Sequence, residues 1–241
     1  MKIVFLHGFP DNAEVWSYQA YHFDKSYSCI APTIHSWKFE DQLFKLKELI
    51  GTEEVVLVAH DMGGPVAVEY AQTYPDQVRH LVLINTMGLA MFAHRLKRMD
   101  QVLKSSYMTV FFNPLVNTFT LKPFIKQFLK LAYDAGGVPK DDPLRQNSFE
   151  VLNGLARYKE MSWRVPKKLF EPGGTVMVKT TFIFGNKDPF LIAPELKELK
   201  RFFDDVELHV ISAGHWPMRS NPAELNEILQ KIFASSEIKE E

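Results

Sequence analysis

The sequence predicts an α/β fold in which helices cover both faces of a mainly parallel, six-stranded sheet. Short segments rich in Val, Ile, Leu and Phe alternate with helix-like segments, which is typical of parallel sheets. This alternation stops between Thr86 and Thr175, where aromatic and aliphatic residues recur at helical spacing. A structureless loop of that length is implausible in a compact domain. We therefore expect a core of residues 1–86 and 175–241 and an inserted helical cap of residues 87–174.

The individual elements follow from hydrophobic patterning and from Pro in the first turn of two helices. The predicted strands are Lys2–Leu6, Tyr27–Ala31, Glu54–Ala59, Val78–Ile84, Val176–Phe184 and Val206–Ile211. The predicted helices of the core are Glu40–Ile50, Gly64–Tyr74, Pro194–Phe203 and Pro222–Phe233, followed by a frayed polar tail.

Composition argues for a globular enzyme and against several other classes of protein. The 241 residues carry a formal net charge of −1, so no electrostatic footprint for nucleic acid or an anionic membrane is visible. No apolar stretch approaches the ~20 residues of a spanning helix, and the first apolar run is too short for a signal peptide. Cys29 is the single cysteine, which excludes a disulfide framework and a cysteine-based metal site. We expect a cytoplasmic protein without metal or cofactor.

Asp61 is the first candidate for a catalytic group. It follows the apolar run Val55–Ala59 and His60, at the point where a buried strand gives way to a helix. The positive end of that helix favours an anion, and a carboxylate among backbone donors can act as a nucleophile. The segment Ala59-His60-Asp61-Met62-Gly63 has the spacing of a nucleophile elbow, with Asp in place of Ser. The alternative is that Asp61 is simply the helix N-cap.

His215 and Asp188 are the candidate partners of Asp61. His215 follows the last predicted strand in Ser-Ala-Gly-His-Trp-Pro, and it would serve as base unless it is a structural histidine. Asp188 follows the strand TTFIFG, and it would orient the histidine unless it only forms a turn before Pro189. The chain order nucleophile, acid, histidine is that of the hydrolase triad on this architecture.

Four motifs in this order carry a family resemblance: HGFP at 7–10, AHDMGG at 59–64, FGNKD at 184–188 and GHW at 214–216. Together they resemble the α/β-hydrolase superfamily, in particular its Asp-nucleophile branch, and most closely epoxide hydrolases, which are related to haloalkane dehalogenases. The resemblance implies a hydrolase that opens an epoxide to a vicinal diol through an ester on Asp61. Water activated by His215 and Asp188 would hydrolyse that ester, with an oxyanion hole formed by the backbone N–H groups of Phe9 and Met62.

The resemblance also implies two tyrosines in the cap that bind the epoxide oxygen. Tyr107 lies in a Tyr-x-x-x-Phe-x-x-Pro segment that ends at Pro114. Tyr158 lies 30 residues before Asp188, since 188 − 158 = 30. Two phenols can share and then protonate a developing alkoxide. The alternative is that both tyrosines only pack within the cap.

Two departures from the family pattern keep other functions open. Met62 directly follows the candidate nucleophile, a position that is usually Trp in haloalkane dehalogenases and Arg in fluoroacetate dehalogenases. A haloalkane or haloacid dehalogenase with the same triad remains an alternative, as does a relative that binds a small ligand without turnover. Family members also usually have two further strands before the HGFP loop. We expect the strand order 2-1-3-4-5-6, with Tyr27–Ala31 as an edge that either pairs in a homodimer or is covered by a helix.

Overall fold

The computed structural model describes residues 1–33, 38–113, 115, 124–146, 150–170 and 173–237. Six strands are present in this part of the chain: β1 (Lys2–Leu6), β2 (Ser28–Ile30), β3 (Val55–His60), β4 (Val78–Ile84), β5 (Thr180–Gly185) and β6 (Val206–Ile211). The helices of the core are α1 (Ser17–Phe23), α2 (Phe39–Ile50), α3 (Gly63–Thr73), α9 (Leu196–Leu199), α10 (Pro217–Ser220) and α11 (Pro222–Glu237). Between β4 and β5 lie α4 (Leu89–Arg95), α5 (Met99–Lys104), α6 (Met108–Phe112), α7 (Ile125–Ala135) and α8 (Glu150–Phe170).

The six strands form one sheet in the order β2-β1-β3-β4-β5-β6, and every pairing is parallel. This is the predicted fold and strand order. All residues of β3 and β5 are buried, as expected for strands with helices on both faces. The registers pair His60 with Ile84, Ile84 with Ile183, and Gly185 with Ile211. The carboxyl ends of the strands therefore lie on the same side of the sheet, and the residues that follow them meet there.

Several element boundaries differ from the predicted ones. β5 begins at Thr180 rather than Val176, because Val176 makes an isolated bridge to Phe203 before the chain joins the sheet. The helix predicted over Pro194–Phe203 is only Leu196–Leu199. The final helix continues to Glu237, four residues past its predicted end, and residues 238–241 of the expected frayed tail lie outside the described residues.

The segment Ala13–Phe23 was not predicted to be helical, although it forms a 3₁₀ turn over Ala13–Trp16 followed by α1. A local signal was present, because the Asn12 side chain accepts a hydrogen bond from the Glu14 N–H and so caps the turn. Two aromatic side chains of this segment, Trp16 and Phe23, are buried in the core, and the Phe23 ring lies 4.8 Å from that of Phe233 in α11. Packing against the core therefore stabilises this helix, although its sequence has only a weak helical pattern.

The residues between β4 and β5, here called the helical insertion (residues 87–174), are tied to the core by polar contacts. A salt bridge joins Asp142 to Arg219 of α10, with both side chains 1% exposed and two guanidinium nitrogens 2.7 and 2.8 Å from the carboxylate. Both members of such a pair are needed, because removing one would leave the charge of the other buried and uncompensated. This contact fixes the insertion against the end of the sheet that carries the candidate site.

β2 lies at one edge of the sheet and pairs with β1. Its three residues are only partly covered: Ser28 is exposed, whereas Cys29 and Ile30 are half-buried. Helix α1 packs beside β2, and residues 34–37, which follow the edge, are outside the described part. Across the described residues, no helix is long and apolar enough to cross a membrane.

We expect Asp142→Ala to lower the free energy of unfolding by about 3–5 kcal/mol, because it leaves the buried Arg219 guanidinium without its counter-charge. Denaturant unfolding followed by circular dichroism measures the change. The matched control is Asp100→Ala, which removes the exposed partner of Arg98 and should leave the midpoint unchanged. Equal effects of the two substitutions would contradict this interpretation of the buried pair.

Candidate active site

Asp61 lies on a strained turn between β3 and α3. Its φ of +46° is in the left-handed region, which few residues other than glycine adopt. The Asp61 carbonyl accepts hydrogen bonds from the Gly64 N–H (3.0 Å) and from the Thr86 hydroxyl (2.5 Å), which hold the turn in place. A Cβ atom on Gly8 would stand 2.4 Å from the Cβ of Asp61, so the loop after β1 can approach only because residue 8 is glycine. The geometry is that of the elbow suggested by the sequence.

The carboxylate of Asp61 points away from its own helix. Its Oδ1 accepts a hydrogen bond of 2.8 Å from the backbone N–H of Phe9, and its Oδ2 lies 3.5 Å from Nε2 of His215. The N-cap position of α3 is Met62, which makes no side-chain capping bond. The structure thus places Asp61 in the loop cluster above the sheet rather than in the capping role that the sequence left open.

The structure brings Asp188 and His215 together behind Asp61. The Nδ1 atom of His215 lies 2.7 Å from Oδ2 of Asp188. The other carboxylate oxygen of Asp188 accepts backbone hydrogen bonds from Phe190 (2.7 Å) and Leu191 (3.0 Å). The side chains of Asp188 and His215 are 0% and 3% exposed, whereas that of Asp61 is 15% exposed. The acid and base are therefore buried, and the Asp61 carboxylate lies at the boundary with the cavity.

Burial and neighbouring charges shift the pKa values of Asp61, Asp188 and His215 in opposite directions. Burial raises the pKa of Asp61, but the hydrogen bond and charge of His215 outweigh it and hold the pKa below 3.8. The pKa of Asp188 is likewise lowered, since the His215 charge overcomes the effect of burial. Burial lowers the pKa of His215, yet the carboxylates of Asp188 and Asp61 raise it to about 10. With both carboxylates ionised, His215 is a cation at neutral pH.

Asn85 is a site residue that the sequence interpretation missed. It follows β4 directly and has a φ of +44°. Its side-chain amide donates to Asp188 Oδ2 (2.6 Å) and to the Gly214 carbonyl (3.1 Å), and its Oδ1 accepts from the Gly185 N–H (2.9 Å). A polar residue directly after a buried strand was the signal that pointed to Asp61, and the same signal at Asn85 could have identified it.

Tyr107 and Tyr158 face Asp61 from the helical insertion. Tyr158 is 3% exposed, and its ring stacks on Phe111 at 4.8 Å and meets Phe9 edge-on at 4.9 Å. Tyr107 packs against Phe190 with ring centroids 5.3 Å apart. Burial raises the pKa of both phenols, and the charge of Asp61 raises it further, so both stay protonated. Pro114, which ends the motif around Tyr107, lies outside the described residues.

The two donors predicted for an oxyanion hole are the backbone N–H groups of Phe9 and Met62. The Phe9 N–H already bonds the Asp61 carboxylate. The Met62 nitrogen lies 2.8 Å from the position that a Cβ on Gly8 would occupy, which places it beside the same narrow gap. Both predicted residues therefore border the carboxylate that would become the ester carbonyl.

A pocket of about 470 Å³, a figure that includes solvent at its mouth, opens over Asp61. Its wall is mainly apolar, and Asp61, Tyr107 and Tyr158 are among its few polar residues. A second pocket of about 280 Å³ is lined by the same three residues together with His215 and Trp216. Apolar substrate and a water beside the base could therefore both reach the carboxylate.

The insertion also holds the loop that carries Asp188. Lys104 Nζ donates to the Asp188 carbonyl (2.5 Å) and to the Leu191 carbonyl (3.3 Å). Gln101 exchanges bonds with the same loop, donating to the Phe190 carbonyl and accepting from the Ile192 N–H. Sequence reasoning did not identify these contacts, because they depend on how α5 docks.

In the described part of the chain, no group of three or more His, Cys, Asp or Glu residues is placed to hold a metal ion.

Comparisons with known proteins identify the family. A family model described as alpha/beta hydrolase fold matches residues 2–222. The chain belongs to the α/β-hydrolase fold family. It is a hydrolase of this family, and it is similar to proteins named epoxide hydrolase.

Two curated relatives and one solved structure illustrate the similarity. "Epoxide hydrolase 3" of Xenopus tropicalis is 27% identical over 265 aligned positions, covering 96% of this chain and 71% of the relative. "Epoxide hydrolase 3" of Mus musculus is 26% identical, with 94% and 69% covered. The crystal structure of Bacillus megaterium epoxide hydrolase with an inhibitor superposes with a TM-score of 0.81 at 22% identity, covering 97% of this chain and 93% of that one.

We expect Asn85→Ala to reduce kcat/KM by roughly ten- to a hundred-fold, the cost of removing a hydrogen bond to a buried charge. The loss should appear mainly in kcat, because Asn85 holds Asp188 and has no place in the pocket wall. Steady-state kinetics on any accepted substrate measures it. Asn226→Ala removes another buried amide, bonded to Gln19 in the core, and should leave kcat/KM within error. An unchanged kcat in Asn85→Ala would contradict the assignment.

Proposed function

We propose that this hydrolase opens an epoxide to a vicinal diol through a covalent ester on Asp61. The observation that carries the proposal is the position of one ionised carboxylate between an imidazole and two protonated phenols. A nucleophile and proton donors on opposite sides of a substrate are what ring opening requires. The names of the similar curated relatives support this choice of reaction.

In the first step Oδ2 of Asp61 attacks an epoxide carbon. A C–O bond forms to the carboxylate as the ring C–O bond breaks, and the negative charge moves onto the former epoxide oxygen. Tyr107 and Tyr158 hydrogen-bond this oxygen, and one of them protonates it. Their raised pKa values keep both phenols protonated as donors. The product of this step is a hydroxyalkyl ester of Asp61.

In the second step water hydrolyses the ester. His215 removes a proton from a water in the pocket beside Trp216, and the hydroxide attacks the ester carbonyl carbon. The negative charge of the tetrahedral intermediate falls on Oδ1, which the Phe9 N–H already holds at 2.8 Å and which the Met62 N–H borders. Collapse of the intermediate breaks the ester C–O bond, and the hydroxyl proton of the intermediate passes to the departing alkoxide, which releases the diol and restores the Asp61 carboxylate. His215 keeps the proton taken from water and is again a cation. The phenolate is reprotonated through solvent by the proton that His215 released after ester formation.

Ester formation itself prepares the base. In the free protein the charges and hydrogen bonds of Asp188 and Asp61 hold His215 protonated. When Asp61 becomes a neutral ester, one of these two carboxylates loses its charge, and the pKa of His215 falls. The imidazole therefore gains access to its neutral form at the stage when a base is needed.

The proposed substrate is a small, mainly apolar epoxide, since the larger pocket is lined by side chains such as Met87, Leu89 and Phe92. We propose no metal or organic cofactor for this reaction, nor a nucleic acid or membrane partner. A dehalogenase would use the same triad but would have no proton to deliver to a halide, so the paired phenols favour the epoxide. A homodimer joined at β2 also remains a proposal, which light scattering on the purified chain tests.

We expect His215→Gln to stop the reaction at the ester, because no base remains to activate water. Mass spectrometry of the intact protein and of the peptide containing Asp61 should show the mass of one added epoxide molecule. The control is Asp61→Asn, which should give neither adduct nor diol. A panel of aryl and alkyl epoxides and haloalkanes, assayed for diol and for halide, supplies the substrate. Diol formation with no adduct in folded His215→Gln would contradict the proposal, and halide release without diol would favour the dehalogenase.

The two half-reactions should differ in their dependence on pH. Ester hydrolysis needs neutral His215, so its rate should rise with pH, with a midpoint below the value of about 10 expected for the free protein. Ester formation needs ionised Asp61, whose pKa is lowered, and should stay level across the neutral range. Single-turnover quench experiments from pH 5 to 9 measure both rates. A hydrolysis rate that falls as pH rises would contradict the role of His215 as base.

A further inference from the structure

A buried carboxyl group that the proposed reaction does not use lies directly behind His215. Asp11 lies three residues after Gly8, in the loop that approaches Asp61, and is 2% exposed. Its Oδ2 accepts a hydrogen bond of 2.8 Å from the indole N–H of Trp216, and its Oδ1 accepts one of 3.1 Å from the Tyr133 hydroxyl. One carboxyl thus joins the loop after β1, the residue next to the base, and helix α7 of the insertion.

His60 completes this cluster from the strand side. Its Nε2 lies 2.9 Å from the backbone carbonyl of His215, and since a carbonyl can only accept, Nε2 carries the proton. Burial lowers the pKa of His60 to about 3, so the ring is neutral, and its Nδ1 faces Asp11 Oδ2 at 3.8 Å. The His60 ring packs against both His215 and Trp216, with centroids 4.8 and 6.2 Å apart.

The cost of placing a carboxyl here argues that it has a role. Burial raises the pKa of Asp11 to about 7, opposed by the hydrogen bond from Trp216. A folded-state pKa above the unfolded value means that stability declines as pH rises from about 4 to about 7. An apolar residue would avoid that penalty but would leave the indole N–H and the Tyr133 hydroxyl without these bonds.

We propose that Asp11 is a positioning residue for His215, which it serves by holding Trp216 against Tyr133 of the insertion. Trp216 is 1% exposed and its ring meets that of His215 edge-on at 4.7 Å. With the indole fixed on one side and the His215 carbonyl held by His60 on the other, the imidazole has little freedom to turn. The Nε2 atom is thereby kept facing Asp61 and the pocket for water.

This inference rests on the proposed function, because it assigns Asp11 to the second of the two chemical steps. Attack by Asp61 needs no base, so loss of Asp11 should affect ester hydrolysis much more than ester formation. A residue that only stabilised the fold would lower both rates together. The ratio of the two rates therefore separates positioning from general stabilisation.

The test compares Asp11→Ala, Asp11→Asn and Asp142→Asn in single-turnover reactions. We expect Asp11→Ala to slow ester hydrolysis by roughly ten- to a hundred-fold, as for a misplaced catalytic group, with ester formation nearly unchanged and adduct accumulating. Asp11→Asn keeps an oxygen acceptor for Trp216 and an amide that can donate to Tyr133, so it should restore ester hydrolysis. Asp142→Asn, which breaks a buried bridge between the insertion and α10, should destabilise the fold while leaving the rate ratio unchanged.

A second measurement needs no substrate. The indole N–H proton of Trp216 should move upfield in Asp11→Ala in NMR spectra, and His215 ring signals, assigned with His215→Gln, should shift or broaden. Equal loss of both rates in Asp11→Ala, the same rate ratio in Asp11→Ala and Asp142→Asn, or failure of Asp11→Asn to rescue would each overturn the proposal. Absence of any adduct in His215→Gln would instead overturn the proposed function and leave the NMR test of Asp11 intact.

Discussion

The arrangement of this site depends on keeping two carboxylates ionised on either side of one buried imidazole. Asp61 and Asp188 both have lowered pKa values although burial raises them, and the charge on His215 is what reverses the effect. In turn, the carboxylates keep His215 charged. None of the three would be stable at its position alone, because an isolated buried charge is costly. The loops that hold them therefore have to fix the spacing closely, and much of the surrounding structure serves that purpose.

The loops that follow five of the strands, together with the insertion, hold these three groups in place. The left-handed turn at Asp61 presents the carboxylate, and the loop after β1 holds one of its oxygens through Phe9. Asn85 and the α5 side chains hold the Asp188 loop, while Trp216 and His60 hold the segment of His215. Contacts from the insertion thus reach both the acid and the base. In this account the insertion shapes the pocket and also contributes to the alignment of the triad.

The fold and the three residues of the triad could be predicted from the sequence. Parallel strands bring their carboxyl ends together, so polar residues directly after apolar runs meet at one edge, as Asp61, Asp188 and His215 do. The contacts of Gln101, Lys104 and Asp11 could not be foreseen, since they depend on how separate elements dock. Asn85 carried the same local signal as Asp61 and was overlooked. β5 starts later than predicted because Val176 has the apolar pattern of a strand but only forms an isolated bridge to Phe203. The predicted helix over Pro194–Phe203 is shortened to α9.

The central claim is that Asp61 forms a bond to carbon, and isotope labelling in a single turnover tests it most directly. With excess enzyme in water enriched in ¹⁸O, the attacking oxygen of the diol should come from the Asp61 carboxylate. Mass spectrometry should then find ordinary oxygen in the first diol and ¹⁸O in the peptide that contains Asp61. Diol carrying ¹⁸O from the first turnover, with an unlabelled Asp61 peptide, would show direct attack by water and contradict the account.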